Sequence, residues 1–368
     1  MKVLCDRERL REGLAITTSV IPQKSPRPAV ENVCLVATDD ALELIGTDLE
    51  VAVRFRIDDV KVAEPGTALI PARVAADFVR DLSGETVSLQ TSGETFLVES
   101  GSDRCELTTI DPEEYPVVAR FEADNALGMT GAAFNRLVSR TAFAAAREQG
   151  RYAMHGILTV FEGERLEMVA TDGRRLAHGF VEIEPDGLKH ENQRAIVPTK
   201  AMQLFTKVID DPHEIIKLHF ADSQFGLRTD KAELFARLID GEFPRYQSVI
   251  PETCQNRIDI DSDLFAKKLR LVSNVTSNDT RAVRLSIEKE LVTLFGRSAT
   301  TGEATAKIEA EFHGTPGEVA FNPDFILDGL KNCELEKVRF EFDDRTSPGK
   351  FTLGENFVYI VMPITVEA

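Results

Sequence analysis

Three stretches of the chain share one hydrophobic rhythm: an apolar strand, a proline, then an amphipathic run. They are GTALIPARVAADFVRDL (Gly66–Leu82), RAIVPTKAMQLFTKVI (Arg194–Ile209) and GEVAFNPDFILDGLKNC (Gly317–Cys333). Their prolines, Pro71, Pro198 and Pro323, stand 127 and 125 residues apart. A second helical signal recurs at similar spacing, beginning at Arg7, Gly131 and Ser262. In it Leu10 and Leu14, then Phe134, Leu137, Val138 and Thr141, then Phe265, Leu269 and Val272 fall three or four apart, which is one buried stripe of a helix. Asp6 and Ser262 are the expected N-caps for two of these helices.

Strand–turn signals repeat as well. LELIGTD (Leu42–Asp48) answers LEMVATD (Leu166–Asp172), with VTLFGRS (Val292–Ser298) a weaker echo, and IDPEEYP (Ile110–Pro116) answers IDGEFP (Ile239–Pro244). Short alternating strands such as Thr86–Leu89 and Phe96–Ser100 fill the intervals. The chain therefore reads as three similar α+β domains of about 123 residues, 1–122, 123–250 and 251–368, each with two helices and antiparallel sheets.

Charge changes the picture next. The chain carries 61 acidic and 43 basic side chains, net −18, which argues against nucleic acid if charge is evenly spread. It is not evenly spread: the six predicted helices together carry +6, which leaves −24 for everything else. If these equivalent helices share one face, that face is basic inside an acidic shell. A groove-reading helix would carry base-reading Arg, Asn or Gln at its exposed positions; these show modest charge and many small residues, as in Thr141–Ala146, so loose phosphate contact without sequence readout is the expectation. Candidate DNA contacts are Lys24, Arg27, Arg136, Arg140, Arg147, Lys200, Lys207, Lys267, Lys268 and Arg270. The alternative for any one of them is an ordinary solvated surface position.

The five cysteines are odd in number, widely spaced and without a C-x-x-C, so neither a disulfide framework nor a zinc site is expected. The N-terminal residues are charged almost at once, and no long apolar run occurs, which points to the cytoplasm. Catalytic motifs fail one by one. Gly296–Glu303 has five residues between its glycines and no Lys, so it is no phosphate loop. Asp259, Asp261 and Asp263 imitate a calcium loop, but Leu264 and Arg270 stand where Gly and Glu are required. The six histidines are scattered, and no nucleophile elbow exists. Asp172 and Arg175 read as turn residues rather than a catalytic pair. Neither catalytic residues, a cofactor nor a metal is expected. The rival classes are an unrecognised hydrolase and a three-domain protein-binding scaffold with no DNA role.

One further set of residues is specific. Tyr152–Ala177, with ATDGRRLA at Ala170–Ala177, resembles the bacterial beta sliding clamp family, DNA polymerase III subunit beta. RPAVENV (Arg27–Val33), IPARV (Ile70–Val74), IDGEFPRY (Ile239–Tyr246), FNPDFILDGL (Phe321–Leu330) and the near-terminal VYIVMP extend the likeness over the whole chain. The resemblance implies a DNA-clamp fold, a head-to-tail homodimer closing six domains into a ring, and a non-catalytic processivity factor that encircles double-stranded DNA. It implies a separate clamp loader, and as partners the DNA polymerase III alpha subunit and other polymerases or repair proteins carrying a clamp-binding peptide. The peptide pocket it implies would use Met154, Thr171, Gly173, Arg175, Leu176, Pro244, Val249, Ile360, Met362 and Pro363. The dimer contact it implies would set Phe78 and Cys105 of one copy against Leu271 and Val272 of the other. The chain departs from the family pattern at Arg174, Ala153, Ser248 and the tail Ile364–Ala368.

Overall fold

The computed structural model describes residues 1–121, 126–148, 150, 152–183, 191–276 and 281–365. The expected boundary at residue 122 and the tail residues 366–368 lie outside them. The described residues hold six α-helices: α1 (Arg7–Thr18), α2 (Ala72–Asp81), α3 (Gly131–Thr141), α4 (Thr199–Val208), α5 (Ser262–Ser273) and α6 (Pro323–Leu330). Each predicted helix is present, and each of the three prolines sits at a strand–helix junction. Pro323 opens α6, where its missing N–H costs nothing. Asp6 caps α1 by accepting from the Arg9 N–H at 2.9 Å. For α5 the expectation was one residue late. Asp261, at the end of its strand, accepts from the Leu264 N–H at 2.8 Å, and the Ser262 hydroxyl instead donates to the Leu335 carbonyl.

The chain divides into two compact units. The first carries an eight-stranded sheet, ordered Gly66–Pro71, Asn32–Ala37, Leu42–Thr47, Val51–Ile57, Ala232–Arg237, Gln224–Arg228, Ile215–Phe220, Leu127–Thr130. A five-stranded sheet, Val60–Glu64, Lys2–Asp6, Thr86–Ser92, Thr95–Ser100, Asp103–Thr108, completes it. The second unit carries a nine-stranded sheet, ordered Gln193–Pro198, Gly156–Glu162, Arg165–Thr171, Arg175–Glu182, Phe357–Val361, Gly349–Gly354, Lys337–Phe342, Asn256–Asp261, Glu311–His313. Its smaller partner has four strands, Gly302–Glu309, Leu291–Ser298, Val283–Glu288 and Gly317–Phe321. All pairings are antiparallel.

The two large sheets match strand for strand over eight positions. In each, a four-stranded set is extended through one joining pair, Val51–Ile57 with Ala232–Arg237 or Arg175–Glu182 with Phe357–Val361. The stripes read from the sequence face the cores: Leu10, Leu14, Phe265, Leu269 and Val272 are buried, each contributing about 1.5–3 kcal/mol. In the first unit α1 lies against its sheet through Gly13, where an added Cβ would meet the Phe55 ring at 2.7 Å.

Candidate functional site

The site grows from a turn in the second unit. Strand Arg165–Thr171 ends on Thr171, whose hydroxyl donates to the Arg175 carbonyl at 2.7 Å and accepts from the Gly173 N–H at 3.1 Å. The Asp172 carboxylate accepts from the N–H groups of Arg174 and Arg175. Gly173 occupies φ +84, the left-handed region where glycine has no Cβ penalty. The turn thus aims the Arg175 side chain inward. Its guanidinium reaches Asp172 at 3.1 Å, Asp328 at 2.9 Å and the Phe143 carbonyl at 2.8 Å, and lies 4.7 Å over the Phe325 ring. Each of its three nitrogens donates, two of them to carboxylates, which is how a buried cation is kept. Burial alone would raise the Asp328 carboxyl; hydrogen bonds from Lys331 and Arg175 overcome it and hold the group below its ordinary range.

Leu176 pairs with Ile360 across the joining strands, and both are buried in a cluster with Ala153, Ile196, Phe243 and Tyr246. The segment after strand Ala232–Arg237 covers one side: the Ile239 N–H donates to the Ile196 carbonyl, and Pro244, Tyr246 and Val249 line the wall. The Tyr246 hydroxyl donates to the Glu167 carboxylate, which also lies 3.2 Å from His178. Burial pushes the phenol up, and the adjoining carboxylate pushes it further. Met362 closes the opposite side; its N–H donates to the Arg174 carbonyl at 2.8 Å while its side chain is exposed.

Between these walls is a cavity of about 160 Å³. Met154, Thr171, Gly173, Arg175, Leu176, Pro244, Val249, Ile360 and Met362 line it, nine of the ten residues the sequence reading named. Pro363 is the one outside the lining. Arg245 and Tyr246 line it and were missed. An aromatic two positions after the turning proline of IDGEFPRY was the available signal. The walls are apolar with a flexible methionine, the chemistry that accepts aliphatic or aromatic side chains of a short peptide.

The ten candidate DNA contacts divide. Lys24, Arg27, Arg136, Arg147, Lys200, Lys207, Lys267 and Arg270 are exposed, and Lys268 is part-exposed. Lys200 pairs with Asp48 at 3.1 Å, and Arg27 donates to the Glu114 carbonyl. Among the described residues Lys24, Lys207, Lys267, Lys268 and Arg270 have no ion pair. Arg140 is a correction. Its side chain is only 3% exposed, bonded through two nitrogens to Glu334 and stacked 5.3 Å over Phe357. It falls on the buried stripe of α3, three residues after Leu137, and is not available to a phosphate.

Three models of the DNA polymerase III beta subunit match in order: the N-terminal domain at residues 1–119, the central domain at 129–245 and the C-terminal domain at 247–365. The chain belongs to the DNA polymerase III beta subunit family. The beta sliding clamp of Escherichia coli K12 is 28% identical over 99% of this chain and all of its own length, and that of Caulobacter vibrioides 29% over both full lengths. The crystal structure of the Pseudomonas aeruginosa subunit superposes with a TM-score of 0.95 at 26% identity, and that from Thermotoga maritima with 0.92 at 27%, each over the whole of both chains.

Family membership makes this a non-catalytic sliding-clamp subunit, consistent with the failed motifs above. Among the described residues no His, Cys, Asp and Glu cluster has metal-holding geometry, and no helix is long and apolar enough to cross a membrane. Of the four residues that the resemblance implies for a dimer contact, Leu271 is 55% exposed, and Phe78 and Cys105 are part-exposed. Val272 is the second correction: it is fully buried, packed under Gly296, because it continues the Phe265–Leu269 stripe of α5. A core side chain cannot face another copy.

Proposed function

We propose that two copies close head to tail into a ring around double-stranded DNA, and that the cavity beside the turn Thr171–Arg175 holds short peptides of the proteins the ring tethers. The chain's family role is that of a DNA polymerase processivity factor. Three modules parting near residues 122 and 250 give each copy equivalent helices, and the exposed cations on them supply weak, sequence-independent phosphate contact. Topological linkage then retains the DNA while the ring slides.

Strands Asp103–Thr108 and Gly302–Glu309 are edges of their sheets, and Cys105 and Leu271 stand on or beside them. Closing the ring there removes both open edges. A separate ATP-driven loader opens it. The alpha subunit of the polymerase and other polymerases or repair proteins compete for the peptide cavity in the cytoplasm.

The observation that carries this reading is the apolar cavity itself, gathered from three separate stretches on a chain with full-length likeness to sliding clamps. The test is retention on DNA after loading. Loaded protein should stay on nicked circular plasmid and leave when the plasmid is cut. Equal retention on circular and linear DNA, or a monomer in sedimentation, would overturn it. Met362→Arg should abolish polymerase stimulation while leaving retention on circles intact.

A further inference from the structure

The turn that founds the cavity in the second unit has a counterpart in the first, built hydrogen bond for hydrogen bond. The Thr47 hydroxyl donates to the Val51 carbonyl at 2.8 Å and accepts from the Leu49 N–H at 2.9 Å. The Asp48 carboxylate accepts from the N–H groups of Glu50 and Val51. The Arg237 N–H donates to the Glu50 carbonyl at 2.8 Å, as Met362 does to Arg174. Leu69 bridges Ile110 just as Ile196 accepts from Ile239, and Pro116 lines the wall as Pro244 does. The result is a second cavity, of about 350 Å³.

Its walls differ from those of its counterpart. Val118 stands where Tyr246 stands in the other, which enlarges the space. Arg237 stands where Met362 stands, exposed and without an ion-pair partner among the described residues. Two apolar side chains frame the mouth. Val117 is fully exposed, and Leu49 is 54% exposed although it occupies φ +76, a region that leucine rarely adopts. Glu50 sits on the same mouth, its carboxylate also free of ion pairs among the described residues, so a ligand with several negative charges is disfavoured.

We propose that this cavity is a second docking site, and that it takes an extended peptide segment with an aliphatic anchor next to a single carboxylate. The anchor enters between Leu49, Val118 and Phe235, and the carboxylate pairs with Arg237. The uncommitted guanidinium argues for an acid, and the exposed aliphatic frame argues for an apolar neighbour to it. Peptide as the ligand class rests on the reading given above for the cavity in the second unit. The charge preference rests on the first unit alone.

The test uses the full-length chain with labelled methyl groups and two synthetic probes, acetyl-Ala-Leu-Glu-Leu-amide and acetyl-Ala-Leu-Lys-Leu-amide. The glutamate peptide should shift the methyls of Leu49, Val51, Val117 and Val118 saturably, and the lysine peptide should bind them about tenfold more weakly. Arg237→Gln should erase the difference and Arg237→Glu should invert it; both variants sit on the surface and keep the backbone bond to Glu50. No shift at these methyls by about 10 mM, or equal affinity for both probes, overturns the proposal. The methyls of Leu176, Ile360 and Met362 report the other cavity in the same spectra. Silence there with saturation at Leu49 sinks the reading under Proposed function alone, and the reverse pattern sinks this one alone.

Discussion

Beneath each of the two cavities lies a glutamate at the same position of the repeat, and the two are used differently. In the first unit Glu43 is buried against guanidinium groups: Arg54 at 3.3 Å and Arg120 at 3.1 Å. Arg54 also donates to the Val118 and Ala119 carbonyls, so the covering segment is tied down by charge-assisted bonds. In the second unit Glu167 meets His178 and the Tyr246 phenol, so what ties the covering segment to the glutamate is an aromatic side chain that doubles as a cavity wall. Where the clamp is ionic the wall residue can be small and the space large. Where the clamp is aromatic the space is halved and apolar. The same backbone frame therefore yields two cavities of different lining by exchanging what lies underneath.

The largest effect that would break this comparison is at Arg54. Arg54→Ala leaves Glu43 in the interior with a more exposed partner and two carbonyls undonated, an expected loss of about 3–5 kcal/mol in urea unfolding. His178→Ala, at the equivalent position, should cost about 1 kcal/mol because the phenol still holds Glu167. Similar costs would mean that the two clamps are energetically alike.

Acid sharpens the contrast next. Burial alone would raise Glu167, but His178 and Tyr246 more than reverse it, and the carboxyl lies below its ordinary 4.5. A depressed value means that the stabilisation is complete above 4.5 and is lost as pH falls through the lower, folded-state value. Amide exchange of residues 244–249 should therefore accelerate on the acid side of that range, and Glu167→Gln should flatten the profile.

The smallest effect concerns the turns themselves. Leu49→Gly relieves a left-handed leucine and should stabilise by about 0.5–1 kcal/mol, while Gly173→Leu should cost about 1 kcal/mol. No atom lies within 4 Å of a Cβ built on Gly173, so the Cβ itself meets no obstacle and the positive φ sets the penalty. A thermal melt of each variant reads both signs.

Much of this was legible in the residues. The pairing of LELIGTD with LEMVATD located both turns, and the recurring prolines located three strand–helix junctions. Phe134, Leu137 and Val138 marked the buried side of α3, and the same periodicity carried on to Arg140. What hid that arginine's role was Glu334, 194 residues away, a partner that no local pattern reveals. Val272 teaches the converse. Its spacing from Phe265 and Leu269 already placed it inside, and the assignment to a surface contact overrode a sound physical signal. Tyr246 was overlooked because its place in the wall depends on Glu167, a partner distant in sequence.

The joining pair of strands in the first unit has a practical consequence for anyone dissecting the chain. Val51–Ile57 buries Val51, Val53, Phe55 and Ile57, and one of its two edges is satisfied only by Ala232–Arg237. A fragment ending near residue 119 would carry a raw row of amides and carbonyls beside those apolar side chains. Such a fragment should polymerise edge to edge instead of behaving as an autonomous module, so tags and cut sites belong elsewhere.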